Sequence, residues 1–383
     1  VWVLLWLAGL SLRLTVLAVP PVIHLLRASW RLSGTEVGLL VTLPTALFAA
    51  AAIPGAVLVA RLGVVRTALG GLLLTAAGGA LRALAPGIVT LLATTAVMAA
   101  GVAILQPTLP ALVRRWSPGR VSLATAVYSS GLLIGEIIPV ALTAPLVLPL
   151  VGGDPLAGLA AWSVPVLLTA VAFALAAPAV DRRAAAAGAL PAARARPEWR
   201  RGLTWLLGLF FGCINATYFG ANAFLPGLLE SRGRTDLIPA ALGALNAGQL
   251  PAAFLMLWVA GRFERRARPF QVAGALCLAG VAGILLSRGA GVAGWAALLG
   301  FGVSAAMVLA LTLPAFLYPP EEVAATSAAM FTISYAGAIV LGLLGGAAWD
   351  LTGDPRWAFA PAAACALTLA VVAAQLRARR HLR

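Results

Sequence analysis

Twelve apolar runs, each about 20 residues long, follow one another with short polar breaks between them. They fall at roughly 1–24, 35–60, 67–84, 88–112, 121–147, 158–178, 203–225, 237–260, 270–287, 291–314, 325–347 and 357–376. Twenty helical residues at about 1.5 Å each match a hydrocarbon core of about 30 Å. Each run therefore reads as a transmembrane helix. The chain is 62% hydrophobic and 10% charged, whereas soluble domains carry about a quarter charged residues. The expectation is an all-α integral membrane protein.

The runs repeat. Thr-Leu-Pro-Ala occurs at Thr108–Ala111 and again at Thr312–Ala315, an offset of 204 residues in a chain of 383. Each copy closes an apolar run just before a polar break. Pro21 with Leu25 and Leu26, ahead of Gly34, resembles Pro226 with Leu228 and Leu229, ahead of Gly233. Gly38 with Pro44 matches Gly243 with Pro251, and Arg61 matches Arg262. Landmarks in the same order at nearly the same offset point to a duplicated unit, as in many secondary transporters. The expected organisation is a bundle over 1–180, a linker over 181–202 and a second bundle over 203–383, with six helices in each bundle.

The net charge of +15 does not indicate nucleic acid, because of where the charge lies. All 27 basic residues are Arg. The breaks after even-numbered runs, with the linker and the C-terminal tail, hold 19 of them; the opposite breaks hold seven, including Arg27, Arg31, Arg82 and Arg232. Positive charge accumulates on the cytoplasmic side of membrane proteins. Both termini are expected in the cytoplasm, at an inner (cytoplasmic) membrane, with the arginines against anionic lipid headgroups. No basic segment precedes the apolar run at Val1, which reads against a cleaved signal peptide.

Absent residues narrow the chemistry. Without Lys there is no nucleotide-loop lysine and no Schiff base. No His-Glu-x-x-His pair occurs, and Cys213, Cys277 and Cys365 are widely spaced in apolar surroundings. Gly300 and Gly302 read as close helix packing, not as a dinucleotide loop. No cofactor or metal is called for, and an intramembrane enzyme acting on lipids lacks its catalytic pairs.

Polar groups inside the bilayer are costly and so informative. Arg13 lies about 18 Å along the first run and shares a helical face with Pro20 and His24. Glu136, the one acid expected deep in the membrane, lies about 21 Å along the fifth run from Ser122, at similar depth. Ser122, Thr125, Ser129, Glu136 and Thr143 share one helical face, which suggests a solvated path. Glu136 reads either as a structural partner for Arg13 or as a group meeting solute or proton, and the residues leave both open. In the second half, Asn215, Tyr218 and Asn222 form one stripe on the seventh run, and Asn246 and Gln249 a pair on the eighth. These are either interhelical glue or cavity lining. Gln106, Tyr128, Ser304 and Tyr335 are weaker candidates of the same kind.

The chain resembles the major facilitator superfamily, in the branch of cyanate and 2-nitroimidazole transporters. The resemblance rests on Leu12-Arg13, on Gly38-Leu39-Leu40-Val41-Thr42-Leu43-Pro44, on Leu109-Pro110, on Tyr218 with Leu225-Pro226, and on Asp350-Leu351-Thr352-Gly353. Ser11 stands where that family often has Asn. Ala60 precedes Arg61 where the superfamily's loop signature has an acid, so only Arg61, Gly63 and Arg66 remain of that conformational loop. The resemblance implies a monomeric secondary active transporter with two pseudo-symmetric six-helix bundles that works by alternating access. A small, anionic, cyanate-like solute would meet Arg13, with protons as a candidate coupling ion through Glu136. The alternative is an exporter of drugs or hydrophobic metabolites such as nitroimidazoles, with little dependence on Arg13.

Overall fold

A computed structural model describes residues 1–32, 34–186, 194, 196–263 and 268–378. Among these, the side chains at 24, 28, 34, 35, 37, 38, 41, 259–263 and 371–378 are not described. The expected roles of His24 and Arg262, and most of the linker, therefore lie outside the described side chains or residues.

Every regular element among the described residues is a helix. In chain order the α-helices are α1 (Trp2–Ser11), α2 (Val19–Trp30), α3 (Gly34–Leu62), α4 (Val64–Ala80), α5 (Ile88–Trp116), α6 (Val121–Leu142), α7 (Leu148–Leu150) and α8 (Pro155–Ala161). They continue as α9 (Ser163–Ala186), α10 (Gly202–Ser231), α11 (Ile238–Ala247), α12 (Gln249–Phe263), α13 (Arg268–Leu286), α14 (Gly291–Leu317), α15 (Val323–Thr352) and α16 (Ala360–Ala378). Ten segments among the described residues are long and apolar enough to cross a bilayer. With α1–α2 at one end of the chain and α16 at the other, this agrees with twelve spans. Side chains such as Leu175, 79% exposed, and Leu343, 70% exposed, lie on outer faces where lipid replaces water.

Several expected boundaries move, each for a local reason. The first run is not one helix, because α1 ends at Ser11 and residues 12–18 form irregular turns before α2. Pro20 and Pro21 carry no N–H, so the carbonyls of Val16 and Leu17 lose their donors four residues on. Arg27 belongs to the last turn of α2 and is not in a loop. The fifth run is α-helical only to Leu142 and then widens into a π-turn over Thr143–Val147. Residues 181–186, expected in the linker, form the end of α9 instead. They stay helical because Arg115 and Trp116, at the end of α5, both donate to the Asp181 carboxylate.

The chain forms two compact units, residues 1–200 with 314–332 and residues 201–313 with 333–383. In the first, α1 packs on α6, and α4 on α5 and α9. Thr332 Oγ1 donates to the Ala49 carbonyl at 2.8 Å. Arg194 bonds the Glu321 carbonyl at 2.7 Å and the buried Glu322 carboxylate at 2.8 Å. In the second unit, α16 packs on α10 and α13.

The two Thr-Leu-Pro-Ala copies sit inside α5 and α14, near their C-terminal ends, with Pro110 and Pro314 within the helix. In each, the threonine hydroxyl turns back on its own helix. Thr108 Oγ1 donates to Ile104 O and Thr312 Oγ1 to Leu309 O, both at 2.7 Å. The repeat is thus a local structure as well as a sequence pattern. Gly300 meets the backbone of Leu245 so closely that a Cβ would collide with its carbonyl, in keeping with a packing role.

Candidate functional site

In the first unit the site is built by an unusually close helix contact. Gly9 of α1 lies against the Tyr128 backbone, and Gly131 and Gly135 of α6 lie against the carbonyls of Trp6 and Leu10. A Cβ on any of these would collide with backbone, so only glycine lets the two helices touch. That approach brings the first turn beyond α1 beside α6. Arg13 Nε lies 3.2 Å from Glu136 Oε1, with the two side chains 13% and 12% exposed. The Arg13 guanidinium also stands 5.7 Å from the ring centroid of Phe48 on α3, within cation–π range. Arg13 and Glu136 are therefore one ion pair in a largely apolar setting, held from three sides.

Arg13 sits in the irregular 12–18 stretch. Its N–H bonds Leu10 O at 3.3 Å, while its own carbonyl receives both Val16 N–H and Leu17 N–H. Broken helices at ion and solute sites are a recurring transporter device, since irregular backbone is tolerated only where protein or a cavity satisfies it.

The polar stripe on α6 differs from the expectation of a solvated path. Ser122, Thr125 and Ser129 are buried at 2%, 1% and 0% exposure. Thr143 accepts from Trp162 Nε1 at 2.9 Å. These side chains lie within packed protein, and Ser129 Oγ has no hydrogen-bond partner among the described residues. By helical spacing the stripe lies beside the Gly131–Gly135 contact face, not on it. Gln106 and Tyr128 are also buried, and the Tyr128 hydroxyl and Gln106 carbonyl oxygen make no hydrogen bond.

The second unit gathers its candidates into a neutral network. Tyr218 Oη donates to Asn246 Oδ1 at 2.7 Å, joining α10 to α11. Asn246 Nδ2 donates to Leu242 O at 2.9 Å and more weakly to Asn222 Oδ1 at 3.3 Å. Gln249 Nε2 reaches Asn246 Oδ1 at 3.5 Å, and Asn222 Nδ2 bonds its own helix at Tyr218 O. Tyr218, Asn222 and Asn246 remain partly exposed. Asn215 belongs elsewhere: it is buried and donates to Ser334 Oγ on α15 at 2.7 Å. Tyr335 and Ser304 are buried in α15 and α14.

Arg61 and Arg66 are exposed on either side of the α3–α4 turn, where Gly63 takes a left-handed φ of 82°. Sequence reasoning missed Ser334, Phe48 and above all Arg82. Arg82 was expected in an open break, yet it is fully buried while its neighbours Leu81, Ala83 and Leu84 are exposed. Only its place as the single charge in an otherwise apolar turn hinted at this.

The Major Facilitator Superfamily profile matches residues 1–342. A 2-nitroimidazole transporter of Escherichia coli K12 is 28% identical over 310 residues, covering 79% of this chain and 76% of that protein. The cyanate transport protein CynX of the same organism is 26% identical over 308 residues, covering 80% and 78%. Among solved structures, the proton:xylose symporter XylE superposes with a TM-score of 0.75 at 14% identity, covering 98% of this chain and 95% of that one. An apolar all-helical chain with enough spans for a polytopic membrane protein agrees with these likenesses, and the protein belongs to the Major Facilitator Superfamily of membrane transporters.

Proposed function

We propose that the protein carries a small anionic solute across the cytoplasmic membrane by alternating access, with Arg13 as the anion-binding group and Glu136 as its exchangeable partner. The observation that carries this is the 3.2 Å pair inside the first unit. Glu136 already occupies the place an anion would take on the guanidinium. A solute anion therefore competes with that carboxylate, and protonation of Glu136 frees Arg13 to receive it. One proton and one anion would then travel together with little net charge moved, which explains why a costly buried pair is kept. The wide partition of arginine supports both termini, Arg61, Gly63 and Arg66 on the cytoplasmic side. The protein acts as a monomer and needs no cofactor.

A second reading is favoured by the neutral network of Tyr218, Asn222, Asn246 and Gln249 and by the likeness to a 2-nitroimidazole transporter. Those groups suit a neutral polar ring, exported without use of Arg13. Counterflow in proteoliposomes with labelled cyanate and with labelled 2-nitroimidazole separates the two. The first reading predicts cyanate exchange that is lost in Arg13→Ala. Exchange of the nitroimidazole alone, untouched by Arg13→Ala, favours the second.

A further inference from the structure

Arg82 lies in the 3₁₀ turn Leu81–Leu84 that ends α4, and its side chain is completely buried. One nitrogen, Nη1, donates to Thr15 O at 2.8 Å in the irregular stretch between α1 and α2. The other two, Nε and Nη2, are buried and have no hydrogen-bond partner. Two hydroxyls with the same lack lie nearby, Thr15 Oγ1 and Ser163 Oγ. Both side chains crowd the same point on Gly79. A Cβ built there would meet Ser163 Oγ and come within 3.3 Å of Thr15 Cγ2. Gly79 stands three residues before Arg82, one turn away on the same face.

The pattern of unmet donors is specific. Nε and Nη2 form one straight edge of the guanidinium. It is the edge with which Arg115 holds both Asp181 oxygens and Arg234 holds both Asp236 oxygens. Arg82 presents that edge to no carboxylate among the described residues, and Glu136 is engaged with Arg13. A buried cation without a counter-charge is strongly unfavourable, and a planar two-oxygen anion matches the fork in shape as well as charge. Thr15 and Ser163 supply two further buried hydroxyl donors in the same region, next to Gly79.

We propose that Arg82, with Thr15 and Ser163, forms a second anion site inside the first unit, shaped for a small planar oxyanion of the nitrate, formate or bicarbonate type. Through Thr15 this site braces the broken first helix two residues from Arg13. It does not depend on the solute reading above.

The test is thermal unfolding of the purified full-length protein in gluconate buffer, titrated with nitrate or formate, and with formamide as the neutral control. Wild type should show a saturable rise in Tm with both anions and none with formamide. Arg82→Met should abolish the rise. Thr15→Val and Ser163→Ala should each raise the half-saturating concentration about tenfold, as expected for one lost hydrogen bond to an ion. Arg13→Ala should keep the rise, which separates this site from the proposed solute site. The proposal is overturned if wild type shows no saturable rise, so that water alone fills the edge, or if formamide matches formate. It is equally overturned if Arg82→Met responds like wild type. Should Arg82→Met fail to fold, unchanged half-saturation in both hydroxyl variants decides against it.

Discussion

The two halves repeat one plan with opposite electrostatics. The first encloses charge, in the Arg13–Glu136 pair and Arg82, while the second gathers amides, hydroxyls and a phenol, some of them partly exposed. The helices that open each half differ in the same sense. The first is split at residues 12–18, whereas α10 runs unbroken for 30 residues with Pro226 inside it. Two adjacent prolines remove two successive helical hydrogen bonds, and one proline removes a single bond that a long helix absorbs. Irregular backbone and buried charge thus arrive together, because a charged group at this depth needs the extra acceptors and donors that irregular backbone supplies.

Arginines near the helix ends sharpen the contrast. Arg232, just beyond α10, gives its Nη1 to Ile284 O and Ser287 O and its Nη2 to Leu285 O, capping the last turn of α13. Partial burial, then the neighbouring guanidiniums of Arg356 and Arg288, lower its pKa, and Asp354 opposes them. Arg82 spends one nitrogen on one carbonyl and leaves a whole edge open. One arginine is consumed by the fold and the other is left able to bind.

The largest effect that could break this comparison lies at the ion pair. Glu136→Gln leaves a buried guanidinium without its counter-charge and should cost about 3–5 kcal/mol of stability in detergent, while Arg13→Leu with Glu136→Leu should recover much of it. Recovery that fails would mean the pair is not the charged core of the first half. Next comes Gly135→Val, which drives a side chain into the Leu10 carbonyl and should cost about 1–3 kcal/mol by overpacking. The same change should depress anion counterflow, since it pushes Arg13 and Glu136 apart. The smallest effect is expected in the neutral half. Tyr218→Phe removes one partly exposed hydrogen bond and should cost about 1 kcal/mol. A loss there as large as that of Glu136→Gln would erase the distinction between charged and neutral halves. A fourth check concerns orientation. A cysteine at Ala378 should be labelled only from the cytoplasmic side and one at Gly153 only from outside, and labelling of Ala378 from outside would contradict cytoplasmic termini.

Much of this architecture is legible in the sequence, because span length and the duplication are written in hydropathy and in Thr-Leu-Pro-Ala. The matched depth of Arg13 and Glu136 was readable from helical rise alone. What joins them was less so. Gly131 and Gly135 form a Gly-x-x-x-Gly pair on α6, a spacing that marks close helix packing, but nothing in it points to Gly9 on α1 as the partner. The polar stripe on α6 reads as a wet path, but small hydroxyls pack inside a helix bundle as readily as they line water, and here they are buried. Arg82 was hidden for a related reason. Its turn is exposed at every neighbour, and the direction of one side chain is decided by tertiary packing around Thr15 and Ser163.

The central claim is that a proton on Glu136 frees Arg13 for an anion. Its most direct test records internal pH during cyanate uptake into proteoliposomes, for wild type and Glu136→Gln together. The account predicts alkalinisation outside and acidification inside with wild-type uptake, and cyanate counterflow without any proton movement in Glu136→Gln. Proton movement that accompanies cyanate equally in both proteins would contradict it.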